Sequence, residues 1–232
     1  MLIYIDNNIL IDYEDGKIDL PLNDEIIYVY SYVHLQELQE SKDLEIRKYK
    51  RFQTIEKLTS NRYVCHNNNN QLGFYEARPI DIFAAFDNPL AKMVSCHIHE
   101  SMSHRKDDEI SKCLMQKLNI EKKEINNYTP EKLFEKYGKI IKLYIENTCM
   151  YRQEVFQSLF NILDDLGFWQ DKLKKGSTMN RSYDANHAYF ATSCDYFVTE
   201  DKKAMVKANV AYRLYGYKTI AVNYGDFIKL IK

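Results

Sequence analysis

At each end of the chain, short continuous apolar runs alternate with segments in which apolar residues recur at helical spacing. Residues 2–5, 26–30 and 196–198 are short runs of apolar, aromatic and β-branched side chains. Each run is followed by apolar residues at helical spacing, which predicts helices over residues 8–14, 32–59 and 202–214. Continuous apolar runs are typical of strands in a buried parallel sheet. The pattern therefore predicts an α/β fold, with a last strand over residues 218–222.

The middle of the chain is predicted to be helical almost throughout. Apolar residues recur at helical spacing from residue 80 to residue 168, and Thr129-Pro130-Glu131 has the composition of a helix start. Residues 62–65 are predicted to form a short third strand. We therefore predict a core made of residues 1–66 and 178–232, interrupted by a helical insert over residues 67–177. The insert either packs on the sheet or forms a separate subdomain.

Four acidic residues lie where the predicted strands end or the next helices begin. Asp6 follows the first strand, and Asp201 follows the strand over residues 196–198. Glu37 lies early in a helix with Ser31 as its predicted N-cap, and Asp184 is predicted to open an alanine-rich helix. Because the carboxyl ends of parallel strands meet at one edge of a sheet, these acids are expected to converge. The alternative is that Asp184 and Asp201 only cap helices.

Taken in order, these motifs resemble the successive motifs of the PIN-domain nucleases. They are Asp6-Asn7-Asn8, the helical Glu37-Leu38, Asp184 in its small-residue helix, and Asp195-Tyr196-Phe197-Val198-Thr199-Glu200-Asp201. The resemblance implies a PIN-like three-layer α/β/α fold with a central, mostly parallel, twisted sheet. It implies that the catalytic and metal-binding residues are Asp6, Glu37, Asp184 and Asp201. It also implies that Asn8 and Thr199 hold these acids in place. The long stretch between Glu37 and Asp184 departs from compact members of the family.

The clustered acids indicate the expected chemistry. Carboxylate oxygens suit Mg²⁺ or Mn²⁺, and such cations make a cluster of like charges tolerable. Bound ions of this kind activate water for phosphodiester hydrolysis, so we expect a metal-dependent nuclease. The resemblance implies an endoribonuclease acting on RNA, with a toxin or defence role, an antitoxin-like protein inhibitor and a homodimer as further expectations.

Two other functions remain open as alternatives. The first is a catalytically inactive PIN-like module that binds RNA or a protein, although such a module has no need for a repulsive cluster of acids. The second is a metal-dependent phosphatase, which usually needs a second acid at the position where this chain has Asn8. The sequence favours the nuclease over both.

Charge is distributed unevenly, although the formal net charge is −1. Residues 1–40 contain nine acidic residues and one basic residue, whereas residues 42–62 contain seven basic and three acidic residues. Residues 202–232 contain seven basic residues and one acidic residue. Basic segments beside an acidic metal site suit a polyanion such as RNA. Solvated lysine-rich helix faces are the alternative interpretation.

Other classes of protein find little support in the sequence. There is no Walker motif, no glycine-rich dinucleotide motif and no serine-hydrolase motif. His97, Glu100 and His104 share a helical face by spacing, but an ordinary exposed helix is the favoured interpretation. No apolar run approaches the roughly 18 residues that span a bilayer. Five scattered cysteines do not predict a disulfide scaffold. We therefore expect a cytoplasmic protein without a membrane association.

Overall fold

The computed structural model describes residues 1–41, 44–86, 108–120, 125, 128–147, 149, 152–170 and 177–231. His97, Glu100 and His104 lie outside these described residues. In chain order, the elements are β1 (Leu2–Ile5), α1 (Asn7–Glu14), β2 (Ile27–Val29), α2 (Tyr32–Glu40), α3 (Glu45–Thr59), β3 (Arg62–His66), β4 (Leu72–Glu76), α4 (Pro79–Phe86), α5 (Asp108–Lys117), α6 (Pro130–Glu146), α7 (Arg152–Asp165), α8 (Ser177–Phe190), a 3₁₀ turn (Ala191–Ser193), β5 (Tyr196–Val198), α9 (Lys202–Tyr215), β6 (Ile220–Val222) and α10 (Tyr224–Leu230).

The chain forms two compact units. The first consists of Met1–Ser95, Phe190–Asp201 and Thr219–Lys232, and the second of Cys96–Tyr189 and Lys202–Lys218. The predicted division into a core and a helical insert over residues 67–177 stays a prediction. None of the helices in the described ranges is both long enough and apolar enough to cross a membrane.

A four-stranded, fully parallel sheet forms the centre of the first unit. The strand order is β2-β1-β5-β6, and Ile3 of β1 pairs with Tyr28 on one side and Tyr196 on the other. These strands are the apolar runs at the two ends of the sequence. The prediction of an α/β fold with a parallel sheet is therefore confirmed.

The core of the first unit is built on alternate residues of these strands. Ile3, Ile5 and Val198 point to the same face of the sheet by their spacing and register. They belong to a buried apolar cluster that also includes Ile9, Leu10, Leu35, Leu38, Phe52, Ile55, Leu58 and Phe227. On the opposite face, the rings of Tyr4 and Phe197 meet edge to face with their centroids 5.9 Å apart. This packing fixes the strand ends, which carry the candidate site.

A second, antiparallel sheet consists of the hairpin β3–β4. It continues from the end of β2, because the amide of Tyr30 donates to the carbonyl of Arg62 at 3.1 Å and the amide of Val64 donates to the carbonyl of Tyr30 at 2.8 Å. Strand β3 agrees with the prediction over residues 62–65. Strand β4 was not predicted, because its side chains are largely exposed and it has no continuous apolar run.

Two predicted helix boundaries are wrong. The single helix over residues 32–59 is two helices, with Ser41 as the C-cap of α2 and Leu44 as the N-cap of α3. Asp184 does not open its helix, which begins at Ser177, so Asp184 lies about two turns inside it. The seven residues before Asp184 contain no proline or glycine to mark a boundary. Their few apolar side chains also gave no periodic signal.

The second unit is helical in its described part. Thr129 is the N-cap of α6, as predicted, with its hydroxyl accepting from the amide of Lys132 at 3.4 Å. Gly167 follows α7 with a φ of +84°, a left-handed conformation that is common for glycine just after a helix. Asp164 of α7 is buried and forms ion pairs with Lys207 at 2.7 Å and Arg181 at 3.4 Å.

Candidate metal centre

The candidate centre lies at the carboxyl ends of β1 and β5. From β1 the chain crosses to β2 on one side, and from β5 it crosses to β6 on the other side. The connections therefore diverge between β1 and β5. In open α/β sheets, ligands bind at such a switch point, outside the carboxyl ends of the strands. Asp6 directly follows β1 and Thr199 directly follows β5, so both lie at this point.

The carboxylate of Asp6 is held from three directions. Its Oδ1 accepts from the amide of Asn7 at 2.6 Å, which makes Asp6 the N-cap of α1. Its Oδ2 accepts from the hydroxyl of Thr199 at 2.7 Å and from Nδ2 of Asn8 at 2.9 Å. The backbone amide of Asp6 donates to the carbonyl of Val198 at 2.9 Å. Asp6 is only 7% exposed, so these contacts fix the direction of a buried acid.

Thr199 connects Asp6 to Asp201. The Thr199 side chain is fully buried, and its hydroxyl donates to Asp6 while accepting from the amide of Asp201 at 3.1 Å. It also accepts from Nδ2 of Asn8 at 3.3 Å. The single donor and both lone pairs of the hydroxyl are thus engaged. The structure therefore places Asn8 and Thr199 against Asp6, and brings the half-buried Asp201 to the same strand end.

Glu37 approaches Asp6 from α2. One carboxylate oxygen of Glu37 lies within 4.8 Å of one of Asp6. Nδ2 of Asn7 donates a short hydrogen bond to Oε2 of Glu37 and also donates to the carbonyl of His34 at 3.3 Å. Asn7 therefore holds the second acid as Thr199 holds the first. This role of Asn7 could not be predicted from the sequence, because it depends on contacts with His34 and Glu37 of α2.

A capping box fixes α2 relative to β1. Ser31 is the N-cap, as predicted, and its hydroxyl accepts from the amide of Val33 at 3.3 Å. Nδ1 of His34 accepts from the amide of Ser31 at 3.1 Å, and Nε2 of His34 lies 2.7 Å from the carbonyl of Ile5. Since a carbonyl only accepts, Nε2 carries the proton. His34 thus ties the helix of Glu37 to the residue before Asp6, a role that the sequence analysis missed.

Tyr4 lies beneath the two acids and remains neutral at physiological pH. Burial raises the pKa of Tyr4 well above its usual value of 10.0, and the charges of Asp6 and Glu37 raise it further. Its hydroxyl lies 2.6 Å from that of Ser31, which opposes part of this increase in pKa. Tyr4 therefore adds no charge, and the negative charge at this edge belongs to the carboxylates.

The four predicted acids are distributed over both units. Asp6, Glu37 and Asp201 belong to the first unit and lie at the edge described above. Asp184 belongs to the second unit, where it is half-buried on α8. The contacts within the first unit therefore concern Asp6, Glu37 and Asp201. Asp184 is a candidate metal ligand through its sequence motif alone.

The donor atoms of the first-unit acids fit a hard divalent cation. All of them are carboxylate oxygens, which suit Mg²⁺ and Mn²⁺ better than zinc or copper. Two carboxylates this close repel each other unless a cation or a proton lies between them. Comparisons of the chain with protein-family models, with curated proteins and with solved structures find no match. The function of the chain is therefore inferred from this geometry and from the sequence motifs.

Proposed function

We propose that the chain is a metal-dependent endoribonuclease with a PIN-like fold. The observation that carries the proposal is the pair of carboxylates of Asp6 and Glu37, whose oxygens approach within 4.8 Å at the switch point of a parallel sheet. An acid after β1, an acid in the helix after β2 and an acid after β5 follow the order of the sequence motifs. Asp184 joins the proposed metal ligands on the strength of its motif.

The residues around the acids support a role in holding Mg²⁺ or Mn²⁺. Asp6, Glu37 and Asp201 would provide the oxygen ligands. When bound, the ion supplies an activated water and neutralises charge on the phosphodiester. Thr199 and Asn7 each orient one carboxylate through a hydrogen bond to one of its oxygens. Such outer contacts are typical of metal ligands, because they fix the direction from which the ligand oxygen approaches the ion.

The charge of α3 supports a polyanionic substrate. Arg47, Lys50 and Lys57 are exposed on this helix of the first unit. Basic side chains on a solvated surface attract the phosphates of nucleic acids by releasing their counterions. RNA is proposed over DNA from the resemblance to the PIN-domain family.

A cleavage assay tests the proposal. Purified protein is incubated with structured RNA, single-stranded RNA and DNA, with Mg²⁺ or Mn²⁺ and with EDTA. We expect RNA cleavage that requires the metal and is lost in Asp6→Asn and in Glu37→Gln. The matched control is Asp24→Asn, which removes an exposed acid from a loop of the same unit and should leave cleavage unchanged.

Thermal unfolding separates metal binding from catalysis. An ion at 100 times its Kd stabilises the folded protein by about 2.7 kcal/mol, which for a chain of this length raises Tm by about 5–10 °C. We expect Mn²⁺ to raise the Tm of the wild type and of Asp24→Asn, but not that of Asp6→Asn. Absence of RNA and DNA cleavage by folded wild-type protein with Mn²⁺ would contradict the nuclease and favour the binding module.

A further inference from the structure

A surface cavity of about 260 Å³ lies at the hairpin β3–β4 of the first unit. It is lined by Ser60, Arg62, Phe74, Tyr75 and Glu76. Ser60 and Asn61 both have left-handed backbones, with φ of 48° and 63°, and this turn leads the chain from α3 into β3 beside the cavity. Pockets for drug-sized ligands have volumes of roughly 300–1,000 Å³. The cavity is therefore suited to a single planar ring system.

Two aromatic side chains of β4 are exposed, one on each face of the hairpin. Phe74 is 38% exposed and Tyr75 is 45% exposed. The described ring–ring contacts of the chain include neither of them. Exposed aromatic side chains are the surfaces on which unpaired bases stack in complexes with single-stranded nucleic acids. Phe74 lies on the same face of the hairpin as Arg62 and Glu76, whereas the adjacent Tyr75 points to the opposite face, so the ring of Phe74 is the one on which a base could stack.

The polar side chains of the cavity define which hydrogen bonds a ligand must offer. Arg62 and Glu76 are directly opposite each other across the two strands. Both are exposed, and the described contacts contain no ion pair or side-chain hydrogen bond for either. Arginine only donates and an ionised glutamate only accepts. A ligand that binds both side chains must therefore carry hydrogen-bond acceptors on the edge that faces Arg62 and hydrogen-bond donors on the adjacent edge that faces Glu76.

We propose that this cavity binds a guanine base of single-stranded RNA, an inference that rests on the proposed function. Guanine carries the acceptors N7 and O6 on one edge, which arginine recognises. On its Watson–Crick edge it carries the adjacent donors N1–H and N2–H₂, which match the two oxygens of Glu76. Adenine and cytosine offer a single amino group and uracil a single imino group. Because the Watson–Crick edge is used, the base must be unpaired.

The position of the hairpin relates the cavity to the acids of the same unit. Strands β1, β2, β3 and β4 follow one another laterally, with β2 and β3 joined at Tyr30 and Tyr63. At about 4.8 Å per strand, β4 is roughly 14 Å from β1, at whose end Asp6 lies. A short single-stranded segment spans this distance. A guanine in the cavity would therefore set the register of the RNA at the candidate metal centre.

Binding measured without metal tests this proposal separately from cleavage. Fluorescence anisotropy in EDTA compares short single-stranded RNAs that differ only in one central base, beside mononucleotides. We expect the guanine-containing RNA to bind about tenfold more tightly than the other three. Glu76→Gln should abolish this preference, and Phe74→Ala should weaken binding of every RNA by about tenfold.

Matched control variants lie at the other end of α3. Glu45→Gln and Tyr49→Ala remove an exposed acid and an exposed aromatic ring, about 22 Å and about 16 Å along the helix from Ser60. Both should bind like the wild type. Equal affinities for all four bases, or an unchanged preference in Glu76→Gln, would overturn the proposal even if the protein cleaves RNA. A guanine preference lost in Glu76→Gln would support it even if cleavage is absent, and only the nuclease would then be wrong.

Discussion

Replacement of Thr199 by valine removes one hydroxyl from the centre of the candidate site. Valine has nearly the shape of threonine, so the buried volume changes little while three hydrogen bonds are lost. Asp6 loses its 2.7 Å donor, the amide of Asp201 loses its acceptor, and Nδ2 of Asn8 loses one of its contacts. The variant therefore tests how far this hydroxyl stabilises the arrangement of acids.

The expected cost follows from the type of each lost bond. A hydrogen bond to a charged group contributes about 1.5–3 kcal/mol, and loss of the acceptor for the partly buried amide of Asp201 adds about 1 kcal/mol. We expect Thr199→Val to lower the free energy of unfolding by about 2–4 kcal/mol. Thr199→Ser keeps the hydroxyl and removes one buried methyl group, which costs about 1 kcal/mol. The difference between the variants isolates the hydroxyl.

Urea denaturation of the wild type and both variants measures these differences, provided that the m-values agree. Titration with Mn²⁺ adds a second readout, because loss of an outer contact weakens metal affinity by about 10- to 100-fold. A valine variant as stable as the serine variant would show that the hydroxyl does not hold Asp6. Thr199 would then have no part in ordering the acids of the candidate site.

Two further predictions concern buried groups elsewhere in the chain. Lys207→Met should lower the free energy of unfolding by about 3 kcal/mol, because it removes the shorter of the two described ion pairs of the buried Asp164. In urea denaturation, the double variant Lys207→Met/Asp164→Leu should cost less than the sum of the single variants, and simple additivity would contradict coupling of the pair. The second prediction is that the free energy of unfolding falls as the pH rises above about 10. Tyr4 ionises near its usual pKa of 10.0 in the unfolded chain, but only at higher pH in the folded chain. Urea denaturation at increasing alkaline pH should show a smaller loss for Tyr4→Phe than for the wild type, and identical pH profiles would count against this cause.

The parts of the site that could be predicted are those fixed by neighbours in sequence. Asp6 and Thr199 lie at strand ends because each directly follows a continuous apolar run, and such runs pair side by side in a parallel sheet. Ser31 could be assigned as an N-cap because serine at the start of an apolar helical pattern satisfies free amides. In these cases, local composition determined the position of the residue.

The parts that could not be predicted depend on contacts between distant segments. Asn7 donates to the carbonyl of His34 and to Glu37, and these contacts require the register of Leu2 with Ile27 that brings α1 beside α2. Strand β4 escaped prediction for another reason, since an exposed outer strand needs no run of apolar residues. The start of α8 was missed because a helix can extend past its periodic apolar face when no residue interrupts it.

Two acidic sites in the described part of the chain are stabilised in different ways. In the second unit, Asp164 is compensated by the ammonium group of Lys207 and the guanidinium group of Arg181. In the first unit, the described hydrogen bonds to Asp6 and Glu37 come from amides and a hydroxyl, which orient a carboxylate without cancelling its charge. The hydrogen bonds from Thr199 and Asn7 fix the directions from which oxygens of Asp6 and Glu37 would approach a divalent ion, which is the physical basis of the proposed metal centre.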